Sequence, residues 1–250
     1  MSGLSDQATG ITAESTGSAP PFGHLAGVRK VFERRDDEPL VAIEDVSFDV
    51  AEGELVSLLG PSGCGKTTVL RILAGLTEAS AGKVEIRGKQ VTGPQDDFGV
   101  VFQSPTLMPW RTVIDNVLFP MEVKGRKNAE ARARAVELLE LVGLGGFETV
   151  LPKQLSGGMQ QRAALCRALI HKPSLLLMDE PFGALDELTR MDMNDLLLEI
   201  RKLTGATVVF VTHSIAEAVY LSDNVLVFSK RPARIALDLK IDIPYPRTSE

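Results

Sequence analysis

Gly60-Pro61-Ser62-Gly63-Cys64-Gly65-Lys66-Thr67-Thr68 stands between the apolar run Leu55–Leu59 and the helix-favouring stretch Thr68–Ala74. Two glycines separated by four residues and followed by Lys and Thr form the phosphate-loop pattern, here in the strand–loop–helix context it requires. Glycine lets successive backbone N–H groups turn inward around an anion, and the start of a helix adds positive potential. In this pattern Lys66 reaches the β and γ phosphates and the Thr67 hydroxyl ligates Mg²⁺. A glycine-rich turn without a ligand is the competing reading, and the flanking strand and helix count against it.

Two further strands end in reactive side chains. Leu175-Leu176-Leu177-Met178 is a short continuous apolar run, the signature of a parallel strand buried on both faces, and it ends in Asp179-Glu180-Pro181. Pro181 keeps Glu180 out of helical geometry and stops the strand. Ligands of open α/β sheets bind at the carboxyl ends of their strands, where the loop at Gly60 also lies. Asp179 is thereby placed to hold the metal, and Glu180 to orient and deprotonate a water. A third run, Thr207–Thr212, delivers His213 to the same edge. An acidic turn or a lone histidine would ordinarily be structural. Convergence with a phosphate loop reverses that.

A second glycine signature, Leu155-Ser156-Gly157-Gly158-Met159-Gln160-Gln161-Arg162, precedes this acidic strand. Ser156 is a good N-cap, and Gly157 and Gly158 expose the first N–H groups of the following helix. One chain needs one nucleotide cradle. The economical assignment is that this second anion site caps the γ phosphate bound to another copy of the chain.

In these residues the chain resembles the ATPase subunits of ATP-binding cassette (ABC) importers, over roughly Leu25 to Pro246. Gln103 in Val100–Ser104 corresponds to that family's Q-loop, Gly183-Ala184-Leu185-Asp186 to its D-loop, and His213 to its switch histidine. The strings Leu107–Val117, Asp179–Arg190 and Ser229–Ile235 are similar to the nitrate/sulfonate/taurine group. The resemblance implies an α/β fold: a P-loop NTPase (RecA-like) core with an antiparallel β subdomain and an α-helical insertion over about residues 104–160. It implies ATP and Mg²⁺ as cofactors, bound by Gly60–Thr68, with Thr67, Asp179 and Gln103 around the metal. Lys66, Gln103, Glu180 and His213 become the catalytic set. A homodimer closes on two ATP molecules, Ser156, Gly157 and Gly158 of one copy facing the nucleotide on Lys66 of the other, and Asp186 bridging the two sites. An aromatic ring stacks on adenine in the family, and Phe32 is the candidate here; an alternating strand residue turned into the core is its alternative.

The same resemblance implies membrane permease subunits, a periplasmic or lipoprotein solute-binding protein, and peripheral attachment at the cytoplasmic face of the inner membrane. The solute would be a small anion of the sulfonate, nitrate or taurine type. A cassette ATPase acting as an ATP-gated clamp outside transport is the alternative. Such proteins carry two cassettes or a long coiled coil, and Glu180 and His213 argue for hydrolysis.

The chain has 250 residues and a net charge of −6, enough length for a substantial core and no basic stripe suited to nucleic acid. Its two cysteines, Cys64 and Cys166, form no CxxC pair and fit a reducing compartment. Alkylation of Cys64, inside the phosphate loop, is expected to block nucleotide binding. No apolar run approaches the ~20 residues that span a bilayer. Residues 1–22 are rich in Ser, Thr, Gly, Ala and Pro and read as a disordered leader. Alternating patterns over Ala26–Val50 and Gly82–Arg87 predict antiparallel strands. Ala131, Ala135, Leu138, Leu139 and Val142 share one face of a helix ending at Gly143. Ile235, Leu237, Leu239, Ile241 and Ile243 alternate as a late strand, with Pro244 and Pro246 ending it. Leu107-Met108-Pro109-Trp110 is expected to form part of a groove for a membrane subunit, rather than to pack inside the helical insertion.

Overall fold

Strands without a polar face occupy the centre of the molecule. In a computed structural model describing residues 20–35 and 38–247, β3 (Leu55–Leu59), β7 (Leu175–Asp179) and β8 (Thr207–Thr212) pair in parallel, β8 in the middle. Their near-continuous apolar runs hide an alternation that only two covering layers reveal. Leu176, Met178, Val208 and Phe210 face one core, whereas Leu175, Leu177, Val209 and Val211 face a second. Side chains alternate across a strand, so a strand covered on both faces is apolar at nearly every position; the buried Ser57 of β3 is accommodated by accepting from the Ser222 hydroxyl. The outer neighbours β6 (Phe98–Val101) and β9 (Asn224–Phe228) extend this parallel sheet beside β7 and β3.

The first core lies under α2 (Val113–Val123), α3 (Ala129–Leu141), α4 (Gly157–Leu169) and α5 (Glu187–Thr204). The second holds α1 (Lys66–Leu73) against the sheet and the β subdomain. That subdomain is antiparallel: β1 (Gly23–Phe32) lies between β2 (Leu40–Val50) and β4 (Ala81–Ile86), with β5 (Lys89–Gln90) at its edge. Of the expected leader, residues 1–19 lie outside the described residues. Phe22 is already buried in the β-subdomain core.

The α3 face read from sequence is buried at all five positions, and Asn128 caps the helix by accepting a hydrogen bond from Ala131 N at 2.8 Å. The late strand departs from its reading. β10 (Ala233–Lys240) stops before Ile241 and Ile243, and Leu237 and Leu239 are exposed. Its reach explains this. β10 joins β2 only through Ala233 and Arg234, then continues with β9 alone, so beyond Arg234 one edge and one face lack a covering layer.

Asn116 of α2 is fully buried and organises the segment before its helix. Its Nδ2 donates to the carbonyls of Met108, Arg111 and Thr112 at 3.0–3.1 Å, and its Oδ1 accepts from Met108 N at 2.7 Å. This side chain pins the Met108–Thr112 turn to the helical layer. Removing it leaves Met108 N and Arg111 O without their partner, so Asn116→Ala should lower stability by about 2–3 kcal/mol. An unchanged urea midpoint in that variant would contradict the assignment.

A candidate active site at three strand ends

Parallel pairing sets the site. Leu59 pairs with Thr212 across β3–β8, and Asp179 with Val211 across β7–β8, so the three strands end level on one edge. The loop after β3 leads into α1, whose N-cap Gly65 has φ 125° and offers no capping side chain. A side chain is excluded there twice: L residues avoid that φ, and a Cβ would lie 2.9 Å from Ala42 O. The first turn of α1 consequently presents bare N–H groups.

Lys66 is only 3% exposed. Its Nζ donates to Gly60 O at 2.7 Å and Pro61 O at 3.0 Å, and lies 3.8 Å from Glu180 Oε1. A buried ammonium held by carbonyl dipoles is a strong attractor for an entering anion. Thr67 Oγ1 donates to Asp179 Oδ1 at 2.8 Å. Burial raises the Asp179 carboxyl above its ordinary range; the Thr67 bond opposes this and the neighbouring Glu180 adds to it. Glu180 itself adopts φ 43°, a left-handed conformation, with its N–H donating to Val211 O at 3.0 Å. That conformation turns its carboxylate back over the strand ends, where Oε2 lies 3.0 Å from His213 Nδ1. Strain of this kind is held where the surroundings over-determine it.

Lys66, Thr67 and Glu180 line a cavity of about 180 Å³ together with Gly63, Thr68 and Phe32, and Asp179 and His213 join it through their contacts with Thr67 and Glu180. Phe32 is 39% exposed with Lys30 Nζ 5.1 Å from its ring, so the ring is not turned into the core. Sequence reasoning missed Arg231 at this cavity. Its Nε and Nη2 donate to Gly63 O at 3.1 and 2.6 Å. The β9–β10 turn reaches the loop because β9 pairs with β3, an adjacency with no local sequence signal. A larger cavity, about 690 Å³, is lined by Asp195, Arg201, Tyr220 and Tyr245 and contains none of the strand-end groups. Chemistry favours the smaller one, where convergent charges outweigh volume.

Other expected residues stand apart. Gln103 is exposed beyond β6, and among the described residues no hydrogen bond joins it to Thr67 or Asp179. Ser156 caps α4 by accepting from Met159 N at 3.3 Å; with Gly157 it is exposed, and neither it, Gly157 nor Gly158 lines the Lys66 cavity. Gly158 also has a packing reason, since a Cβ would meet Thr189 Cγ2 at 2.8 Å. Asp186 caps α5, accepting from Thr189 N and Oγ1 at 3.0 and 2.8 Å, and the backbone bond holds its carboxyl below the usual range. Cys64 turns its side chain into the second core and is 2% exposed, which leaves only its backbone facing the loop.

A profile of the ABC transporter family matches residues 43–183. An uncharacterized ABC transporter ATP-binding protein of Methanocaldococcus jannaschii is 51% identical, over 89% of this chain and 83% of its own. A taurine import ATP-binding protein of Rhizobium johnstonii is 48% identical, over 84% of this chain and 80% of its own. Among solved structures, a dimeric ATP-binding cassette in a post-hydrolysis state with ADP and phosphate superimposes with TM-score 0.77 at 33% identity, over 88% of this chain and 98% of that one.

The burial of Cys64 limits its chemistry. In the folded chain it should react with a thiol reagent at least about 100-fold more slowly than free cysteine. Modification at the free-thiol rate without unfolding would contradict this placement.

Proposed function

The chain belongs to the ABC transporter family, and we propose that it is the ATP-hydrolysing subunit of an importer for a small anionic solute of the sulfonate, nitrate or taurine type. One observation carries this: Lys66, Thr67, Asp179, Glu180 and His213 meet at the ends of three adjacent parallel strands. The similarity to taurine import proteins supports the solute class. Residues 25–246 then form one ATPase domain, with the helical insertion at about 104–160.

ATP binds with its phosphates against the N–H groups of Gly60–Thr68 and its adenine against Phe32. Lys66 exchanges the carbonyls of Gly60 and Pro61 for phosphate oxygens, an electrostatic gain suited to a buried cation. Thr67 and Asp179 supply hard oxygen donors that fit Mg²⁺, with Gln103 joining them on closure. When bound, the metal screens the phosphate charge as a Lewis acid. Glu180 takes a proton from the attacking water, while His213, already against Oε2 of Glu180, holds that carboxylate and reaches the γ phosphate. Positioning and charge stabilisation suffice, with no covalent intermediate on the protein.

Ser156, Gly157 and Gly158 complete the site of a second copy. The exposure of Ser156 and Gly157 and the position of all three away from their own Lys66 support this, as does the likeness to dimeric cassettes. Asp186 lies at the start of α5 to bridge the two sites. Loss of the γ phosphate removes the shared anion, and the dimer reopens.

No helix among the described residues is long and apolar enough to cross a membrane, so the solute path requires permease subunits, with this chain at the cytoplasmic face and a solute-binding protein delivering cargo. Trp110 is 75% exposed, so the ring does not pack inside the insertion. Beside its turn, Phe102, Met108, Phe119 and Val123, with Asp96, Lys124 and Arg167, line a cavity of about 470 Å³ suited to an amphipathic helix of the permease.

Glu180→Gln should retain ATP binding, lower phosphate release about 100-fold, and elute as a dimer with ATP and Mg²⁺. Persistent monomers, or hydrolysis at the wild-type rate, would contradict the mechanism. Trp110→Ala should weaken assembly with the permease about tenfold while basal ATPase stays within about twofold; the reverse pattern would remove Trp110 from the docking surface.

A further inference from the structure

Between α5 and α6 (Ile215–Leu221) lies a cavity of about 240 Å³ that neither nucleotide nor metal chemistry uses. Three buried polar atoms around it have no hydrogen-bond partner among the described residues: Arg190 Nε, Glu217 Oε1 and Asn194 Oδ1. Glu217 is 7% exposed, and Arg190 Nε lies 4.0 Å from Glu217 Oε1. A buried carboxylate facing the Nε of a half-buried guanidinium without bonding to it is costly, because both atoms have left water with only part of their compensation.

The other ends of both side chains are firmly held, and by different loops. Arg190 Nη2 donates to Leu185 O at 2.8 Å, inside the loop that runs from Glu180 to Asp186, and Nη1 donates to Glu187 at 3.0 Å. Glu217 Oε2 accepts from the Thr212 hydroxyl, which itself accepts from Ser214 N at 3.0 Å. Those bonds bracket His213. Burial raises the Glu217 carboxyl, while the Thr212 bond and then Arg190 and His213 lower it, in keeping with one shared electrostatic environment.

We propose that Arg190 and Glu217 are positioning residues that couple the loop ending at Asp186 to the loop carrying His213. The 4.0 Å gap is about 1 Å longer than a charge-assisted hydrogen bond. A small approach of α5 toward α6 closes it and satisfies both atoms. When a second copy presses on the Asp186 loop, Leu185 O moves with Arg190. Glu217 passes that motion to Thr212 and so to the backbone on either side of His213, whose ring, already 3.0 Å from Glu180, is moved toward the γ phosphate. The proposal rests on the roles of Glu180 and His213 given above.

The test compares kcat and KM for ATP in the full chain with Arg190→Met, Glu217→Gln and the double variant. Glu217→Gln keeps an acceptor for Thr212 but turns a donor toward Arg190. Each single change should lower kcat about tenfold with KM within about twofold, and the double should stay within about threefold of the singles, since both break one link. Should Arg190→Met fail to fold, Arg190→Lys serves: it keeps the charge but cannot hold Leu185 and Glu217 together, and should show the same kcat loss. Wild-type kcat in the folded single variants, or losses that multiply in the double, would overturn the coupling. An inactive wild-type chain would instead overturn the assignment of ATP hydrolysis on which it rests.

Discussion

Everything at the site depends on the parallel ladder of β3, β8 and β7. Its register brings Leu59, Thr212 and Asp179 level, so the residues after them emerge together. A slip of one residue would turn every side chain of a strand to the opposite layer, burying different residues against each core. Because both faces are covered, neither layer tolerates that slip. Hydrophobic packing at Leu176, Val208, Val209 and Phe210 thus fixes, several residues away, the spacing between Thr67 and Asp179 and between Glu180 and His213.

Side chain–backbone bonds tie the helical layer to the segment that follows β6. Gln161 of α4 is buried, and its Nε2 donates to Phe102 O at 3.2 Å; Arg167 donates to the carbonyls of Pro105 and Thr106 at 2.9 and 2.8 Å. Farther along, Asn116 fastens Met108 and Thr112 to α2. Gln103, the Trp110 turn and the capped start of α4 at Ser156 are consequently tied to one another through side chain–backbone bonds. A partner pulling on the Trp110 turn would move Ser156 with it, and Ser156 is the residue proposed to meet the second copy's nucleotide. Coupling through a rigid body needs no contact between the two events.

The sequence was most legible where one physical cause dominates. The buried strands, the α3 face and the phosphate loop each carry a local pattern that packing reinforced. β10 was harder to read: its apolar alternation resembles a covered strand, yet Leu237 and Leu239 are exposed because β2, which runs on to Val50, stops pairing with β10 after Arg234. Arg231 and the Arg190–Glu217 pair had no local signal, since only topology brings β9–β10 to the loop and α6 to α5. Cys64 shows the converse. Its place in the motif suggested a reactive thiol beside the nucleotide, and the core accepted the side chain instead.

The central claim is that a nucleotide on one copy is completed by Ser156 of another, and mixing two disabled chains tests it most directly. A Lys66→Ala chain lacks the phosphate lysine, and a Ser156→Arg chain blocks the neighbour's site; each alone should be inactive. Mixed in equal amounts, about half the dimers pair unlike chains and hold one intact site, so ATPase activity should return to about a quarter of wild type. No recovery on mixing, or full activity of the Ser156→Arg chain alone, would contradict the account.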